Sequence, residues 1–153
     1  MFRIFVAALA GAVFFMTPAQ AANHPDFSGR WELNVAKSDF GNAEKPVRMT
    51  LVSENKDGYL HSVQTVSTPL GDETSERDWY PDGKQHAYPG AVPGHSVTKW
   101  EGNTLVSERT SQDGQYKETI HLTASADGKT ATETINSKNP NGTNKVRLIW
   151  ERK

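Results

Sequence analysis

Histidine is the residue type here best suited to ligate a metal, and His61, His86, His95 and His121 are spread along the chain without a tight ligand spacing. Zinc and related ions need convergent N, S or O ligands with a supporting second shell, and the chain has no cysteine. His86 and His95 flank the loop Pro89-Gly90-Ala91-Val92-Pro93-Gly94 and are the pair able to approach each other. No metal, haem or other cofactor is expected. Gly94-His95-Ser96 supplies a base and a hydroxyl but lacks the strand–nucleophile–helix setting of a Gly-x-Ser-x-Gly elbow. Without helices or a glycine-rich phosphate loop, no catalytic residue is assigned and the chain is not expected to be an enzyme.

Arginine is the more informative type. Arg77 shares strand parity with Ser75 and Trp79, and Arg109 with Leu105 and Ser107. If those faces point inward, a guanidinium beside Trp79 or Tyr116 can clamp a ligand carboxylate through two parallel bonds while aromatic rings cover the apolar body. Arg77, Trp79, Arg109 and Tyr116 are therefore the candidate ligand-binding set. The competing reading puts both faces outward, because one bulge reverses the parity of a strand.

These residues must be positioned by short strands. Six turn signals punctuate the chain: Asn55-Lys56-Asp57-Gly58, Pro81-Asp82-Gly83-Lys84, Glu101-Gly102-Asn103, Gln112-Asp113-Gly114, Ala126-Asp127-Gly128-Lys129 and Asn139-Pro140-Asn141-Gly142. Asp-Gly and Asn-Gly favour hairpins because tight turns need positive φ. The intervening segments are rich in Thr, Val, Tyr and Trp and predict strands over 30–35, 47–54, 59–68, 73–80, 84–88, 95–100, 104–111, 115–123, 129–136 and 144–152. Connections this short join antiparallel neighbours only. About ten strands in sequential order would leave two long edges, which closure into an up-and-down barrel removes. Tyr116, Ile120 and Leu122 share a face with Glu118, and Val146, Leu148 and Trp150 share one in the last strand. An interior admitting Ser, Thr and Arg suits water or a ligand better than a solid apolar core.

Residues 1–21 have a different character. Arg3 precedes an apolar run from Ile4 to Phe15, and Ala19-Gln20-Ala21 has the small-x-small pattern of a signal-peptidase site. The run is shorter than the roughly 20 residues a membrane-spanning helix needs, so a cleaved signal peptide is expected rather than an anchor. Residues 22–153 then form one domain, periplasmic or secreted. With 17 basic and 18 acidic residues and no basic cluster, the chain gives no electrostatic reason to expect nucleic acid. An outer-membrane barrel needs an outward apolar band, and Ser96–Trp100 and Thr130–Ser137 do not provide one. The domain is not expected to span a membrane.

The opening Asp26-Phe27-Ser28-Gly29-Arg30-Trp31-Glu32-Leu33-Asn34, followed by Lys37-Ser38-Asp39-Phe40-Gly41, resembles that of small exported bacterial lipocalin-like proteins, which carry Gly-x-Trp in their first strand. Trp100-Glu101-Gly102-Asn103-Thr104-Leu105 resembles their Trp-x-Gly-x-x-Leu hairpin. With the two Asp-Gly-Lys turns, the likeness spans nearly all of 22–153. It implies a calycin-type barrel whose first-strand Trp, here Trp31 after Gly29, plugs the closed end. It also implies an arginine of the last strand stacked on that Trp, with Arg152 the first candidate and Arg147 the second. The strand number points to the fatty-acid-binding branch, although Ala36–Pro46 is too short for that branch's helical pair. The function expected is binding of a small lipophilic or amphipathic molecule. The alternative is a protein-binding barrel, an inhibitor or envelope interaction module, with a filled interior.

Overall fold

The computed structural model describes residues 23–89 and 92–153, so the expected signal peptide lies outside the described residues. Ten strands follow in chain order: β1 Gly29–Leu33, β2 Arg48–Lys56, β3 Tyr59–Thr68, β4 Gly71–Trp79, β5 Gln85–Tyr88, β6 Gly94–Glu101, β7 Thr104–Ser111, β8 Lys117–Ala124, β9 Thr130–Asn139 and β10 Gly142–Arg152. They make one antiparallel sheet in the order β4-β3-β2-β1-β10-β9-β8-β7-β6-β5. The first and last strands pair, Trp31 opposite Arg152 and Leu33 opposite Trp150. The sheet curls on itself, so the inner faces of all ten strands converge, as the hairpin ladder leads one to expect.

One feature departs from full closure. β4 and β5, consecutive in sequence, are the two ends of the sheet order and share no ladder. Their connection carries Pro81, which has no N–H to donate, and β5 is only four residues long. The seam is bridged by side chains instead. Tyr80 stacks on Tyr59 at 4.8 Å and on His86 at 4.2 Å between centroids, and Arg77 faces Tyr88 at 5.8 Å.

The turns obey the chemistry that marks them. Asp82, Asp113 and Asp127 each accept, through Oδ1, the backbone N–H two residues on, at 2.9–3.0 Å. A seventh turn, Thr68-Pro69-Leu70-Gly71, carries no Asp-Gly or Asn-Gly pair. Thr68 Oγ1 donates to the Gly71 carbonyl at 2.9 Å instead. The segment between β1 and β2 forms no helix. It lies along β10, where Asp39 and Arg147 exchange backbone bonds of 2.8 and 2.7 Å and Ile149 N–H donates to Ser38 Oγ. Phe40 is thereby packed against the core.

Alternation sets the inner face. Trp31, Leu33, Leu60, Trp79, Leu105, Ile120, Leu122, Leu148 and Trp150 are all buried in one cluster with Phe27. At the end where β1 begins, Trp31 Nε1–H donates to the Phe27 carbonyl at 2.9 Å. The Arg152 guanidinium lies 4.2 Å from the Trp31 ring centroid. Arg152 also donates to the Gly128 and Asp26 carbonyls at 2.8 Å, and to that of Ser28. Gly29 is required there: its φ is +113°, and an added Cβ would stand 2.9 Å from Arg152 Nη1. Arg147 is exposed on the other face, opposite Asp39. Phe27, Trp31 and Arg152 close this end of the barrel.

Candidate functional site

Polar residues line the interior among the apolar ones. Ser53 and Ser62 are buried and share a hydrogen bond of 3.0 Å across β2 and β3, and Thr98 donates to Ser107 at 2.9 Å across β6 and β7. Each hydroxyl therefore has a partner, the condition under which burial costs little. Leu105, Ser107 and Arg109 point inward on β7, as do Ser75, Arg77 and Trp79 on β4. Both arginines thus belong to the interior, and the outward reading of their strands does not hold.

The four candidate residues fall into two adjoining groups. Arg109 donates from Nη1 to Glu118 Oε1 at 2.6 Å, and Tyr116 donates its hydroxyl to Glu118 Oε2 at 2.5 Å. Burial, and then the bond to Glu118, pushes the Tyr116 phenol up to about 12. The Arg109 guanidinium carbon lies 3.4 Å from the centroid of the Tyr88 ring, and its Nε–H is buried without a hydrogen-bond partner. Arg77 sits across from this group, its guanidinium 4.8 Å from the Trp79 ring centroid. Its nearest carboxylate approach among the described residues is Glu118 Oε1 at 3.9 Å, beyond hydrogen-bonding distance. Arg109 and Tyr116 already occupy both Glu118 oxygens. Arg77 is therefore the interior cation whose hydrogen-bonding capacity is least used.

Beside Arg77 lies a cavity of about 70 Å³. Its lining mixes apolar Trp31, Trp79, Trp150, Leu51 and Leu60 with polar Ser53, Ser62, Gln64, Ser75 and Glu133, Leu51 standing opposite Gln64. Glu133 is buried and accepts from Trp150 Nε1–H at 3.0 Å. Burial holds its carboxyl above the ordinary carboxylate range, against the opposing attraction of Arg77. Burial disfavours charge on Glu133, and both Glu118 oxygens are bonded to Arg109 and Tyr116, so among the described residues no carboxylate lies within hydrogen-bonding distance of Arg77. Glu76, Arg77 and Tyr88 line both this cavity and an outer cleft at the β4–β5 seam, so they form the partition between inside and outside.

The site also holds Tyr88, Glu118, Glu133 and Trp150, which the residue pattern alone does not single out. Glu118 and Glu133 are legible in retrospect as carboxylates on the apolar faces of their strands, beside Ile120 and Leu122 and between Ala131 and Ile135. Nothing local marks Tyr88, which reaches Arg77 and Arg109 only through the curl of the sheet. The histidines do not converge. His61 bonds Asp78 at 2.7 Å, and His86 bonds Asp82 at 3.0 Å. His95 stands opposite Ala87, so its side chain and that of His86 point to opposite faces. Among the described residues no three His, Asp or Glu side chains gather as a metal site.

No family model matches the sequence, and no curated protein matches it either. Solved structures do match. Fatty-acid-binding protein 1 of Echinococcus granulosus aligns with a TM-score of 0.59 at 12% identity, over 82% of this chain and 96% of that one. The zebrafish ileal bile acid-binding protein, solved with cholic acid, aligns at 0.54 and 14% identity, over 83% and 98%. Secretory abundant heat soluble protein 4 of Ramazzottius varieornatus aligns at 0.54 and 16%, over 82% and 94%. At such identities the likeness is one of fold. The described residues form an all-β, ten-stranded antiparallel barrel, open at the β4–β5 seam, with the fold of these solved binding proteins.

Proposed function

We propose that this protein is an exported binding barrel that takes a small amphipathic anion into its interior, the charged group against Arg77 and the apolar body against Trp31, Trp79 and Trp150. The observation that carries this reading is Arg77 itself. A guanidinium at the wall of a cavity, stacked on Trp79 and lacking a hydrogen-bonded carboxylate, leaves the interior with a positive charge that an anion would neutralise. The solved neighbours that bind fatty acids and bile acid share the fold and make an interior ligand reasonable. The resemblance of the Gly29-Arg30-Trp31 opening to exported lipocalin-like proteins, with the apolar run after Arg3, supports export to the periplasm or beyond.

A panel of amphipathic carboxylates and their neutral methyl esters, titrated into the protein by calorimetry, tests the reading. At least one acid should bind at least tenfold more tightly than its ester. Equal affinity for acid and ester across the panel, or no heat with any member, would overturn it. The protein-binding alternative has less behind it: Val47, Val52, Leu70 and Val92, the large apolar residues most exposed among those described, lie on separate elements.

A further inference from the structure

Resting on the reading just given, we infer a narrower ligand class: a small planar aromatic carboxylate carrying a polar ring substituent, rather than a long-chain acid. Size is the first argument. At about 10–15 Å³ per enclosed water-sized sphere, a 70 Å³ cavity holds about five such spheres, on the order of one ring. Pockets that enclose larger ligands run to about 300–1,000 Å³. Beyond the tryptophans the space ends at Phe27, Trp31 and Arg152, and on the Arg77 side Arg109, Glu118, Tyr116 and Tyr88 form a bonded plug toward β7 and β8. Moving that plug would part a buried guanidinium from its carboxylate, which is costly.

The walls are the second argument. Three indoles surround the space, and aromatic rings pair best with other flat rings in offset or edge-on contact. Interspersed with them are Ser53, Ser62, Gln64, Ser75 and Glu133, which a saturated chain would leave without a use. A ring hydroxyl answers them. Burial favours the protonated form of Glu133, which can donate to that hydroxyl or accept from it beside the Trp150 N–H that the carboxyl already accepts. The carboxylate of the ligand falls to Arg77, at the partition with the seam cleft, so the charged end faces the way in. Arg77 is pinned on Trp79, which orients its donor fork before a ligand arrives.

The test uses the mature protein with nitrogen-15-labelled tryptophan. The chain has four tryptophans, three of which line the cavity, while Trp100 does not and serves as the internal control. Titration with 4-hydroxybenzoate is expected to move the indole signals of Trp31, Trp79 and Trp150 and to leave that of Trp100 in place. Methyl 4-hydroxybenzoate and cyclohexanecarboxylate should each bind at least tenfold more weakly, and laurate should not compete. Laurate binding more tightly than 4-hydroxybenzoate would overturn the aromatic assignment while leaving an amphipathic anion in the interior. Cyclohexanecarboxylate matching 4-hydroxybenzoate would do the same. If none of the four compounds moves the three cavity signals at millimolar concentration, the aromatic assignment and the interior anion site fall together.

Discussion

Removing the Glu118 carboxylate should destabilise the barrel more than deleting it together with its partner. In Glu118→Ala the Arg109 guanidinium stays buried, its side chain 11% exposed, and loses the carboxylate that it bonds at 2.6 Å. Its Nε–H is already without a partner, so little else in the interior can take up the charge. Breaking one side of a buried pair costs about 3–5 kcal/mol. The Tyr116 hydroxyl loses its acceptor as well, worth about 1 kcal/mol. The stacking of Arg109 on Tyr88 is common to parent and variant and cancels from the difference. The net expectation is a loss of about 4–6 kcal/mol, which at a urea slope of about 2 kcal/mol per molar moves the midpoint down by about 2–3 M. Arg109→Met combined with Glu118→Met removes both charges and keeps the volume, and should stand within about 1 kcal/mol of the parent. The cycle closed with the single Met variants then gives a coupling of at least about 3 kcal/mol, the Glu118 loss less that of the double variant. Urea melts followed by tryptophan fluorescence and circular dichroism supply all four values. A Glu118→Ala loss below about 1 kcal/mol, or a double variant whose cost is the sum of the singles, would refute the reasoning that this pair is a mutually dependent buried unit.

Other consequences follow from the same geometry. Trp31→Ala opens the end of the barrel under Arg152 and discards the bond to the Phe27 carbonyl, so a loss of about 3–5 kcal/mol is expected in denaturant melts. Glu133→Gln should raise stability at neutral pH. The folded state binds the Glu133 proton more tightly than the unfolded chain does, so stability declines as pH rises from the ordinary carboxylate range toward the raised value. The Gln variant should lose that part of the decline in melting temperatures taken between about pH 4 and pH 8. Gly29→Ala places a Cβ 2.9 Å from Arg152 Nη1 at a φ of +113° and should cost at least about 1 kcal/mol, measured by the same melts. N-terminal sequencing of the protein recovered from a periplasmic fraction should begin at Ala22 or a near neighbour, and a chain retained with Met1 would contradict export.

Much of the scaffold is legible because its signals are local. β3 and β7 run over the residues that alternation and flanking turns mark out, Tyr59–Thr68 and Thr104–Ser111. The Thr68–Gly71 turn escapes that reading, because a Thr hydroxyl and a positive-φ glycine replace the Asp-Gly pair. The seam between β4 and β5 is hidden for another reason. Whether two consecutive strands pair depends on the curl of all ten, and Pro81, which withholds a single N–H, does not by itself decide it. The site divides the same way. Parity groups Arg77 with Trp79 and Arg109 with Leu105, but not the direction in which either group points. Arg109 meets Glu118 because β7 and β8 are adjacent in register, a pairing that the hairpin through Gly114 makes readable. The approach of Arg77 to Tyr88 joins the two ends of the sheet order and has no counterpart in the sequence.

The central claim, an anion held at Arg77 inside the barrel, is tested most directly by native mass spectrometry of protein purified gently from the compartment where it accumulates. The parent protein should carry a small acidic adduct that is absent from Arg77→Met, while both show the same melting curve. An adduct retained by Arg77→Met, or a parent that is free of adduct and takes up no carboxylate added back at millimolar concentration, would contradict it.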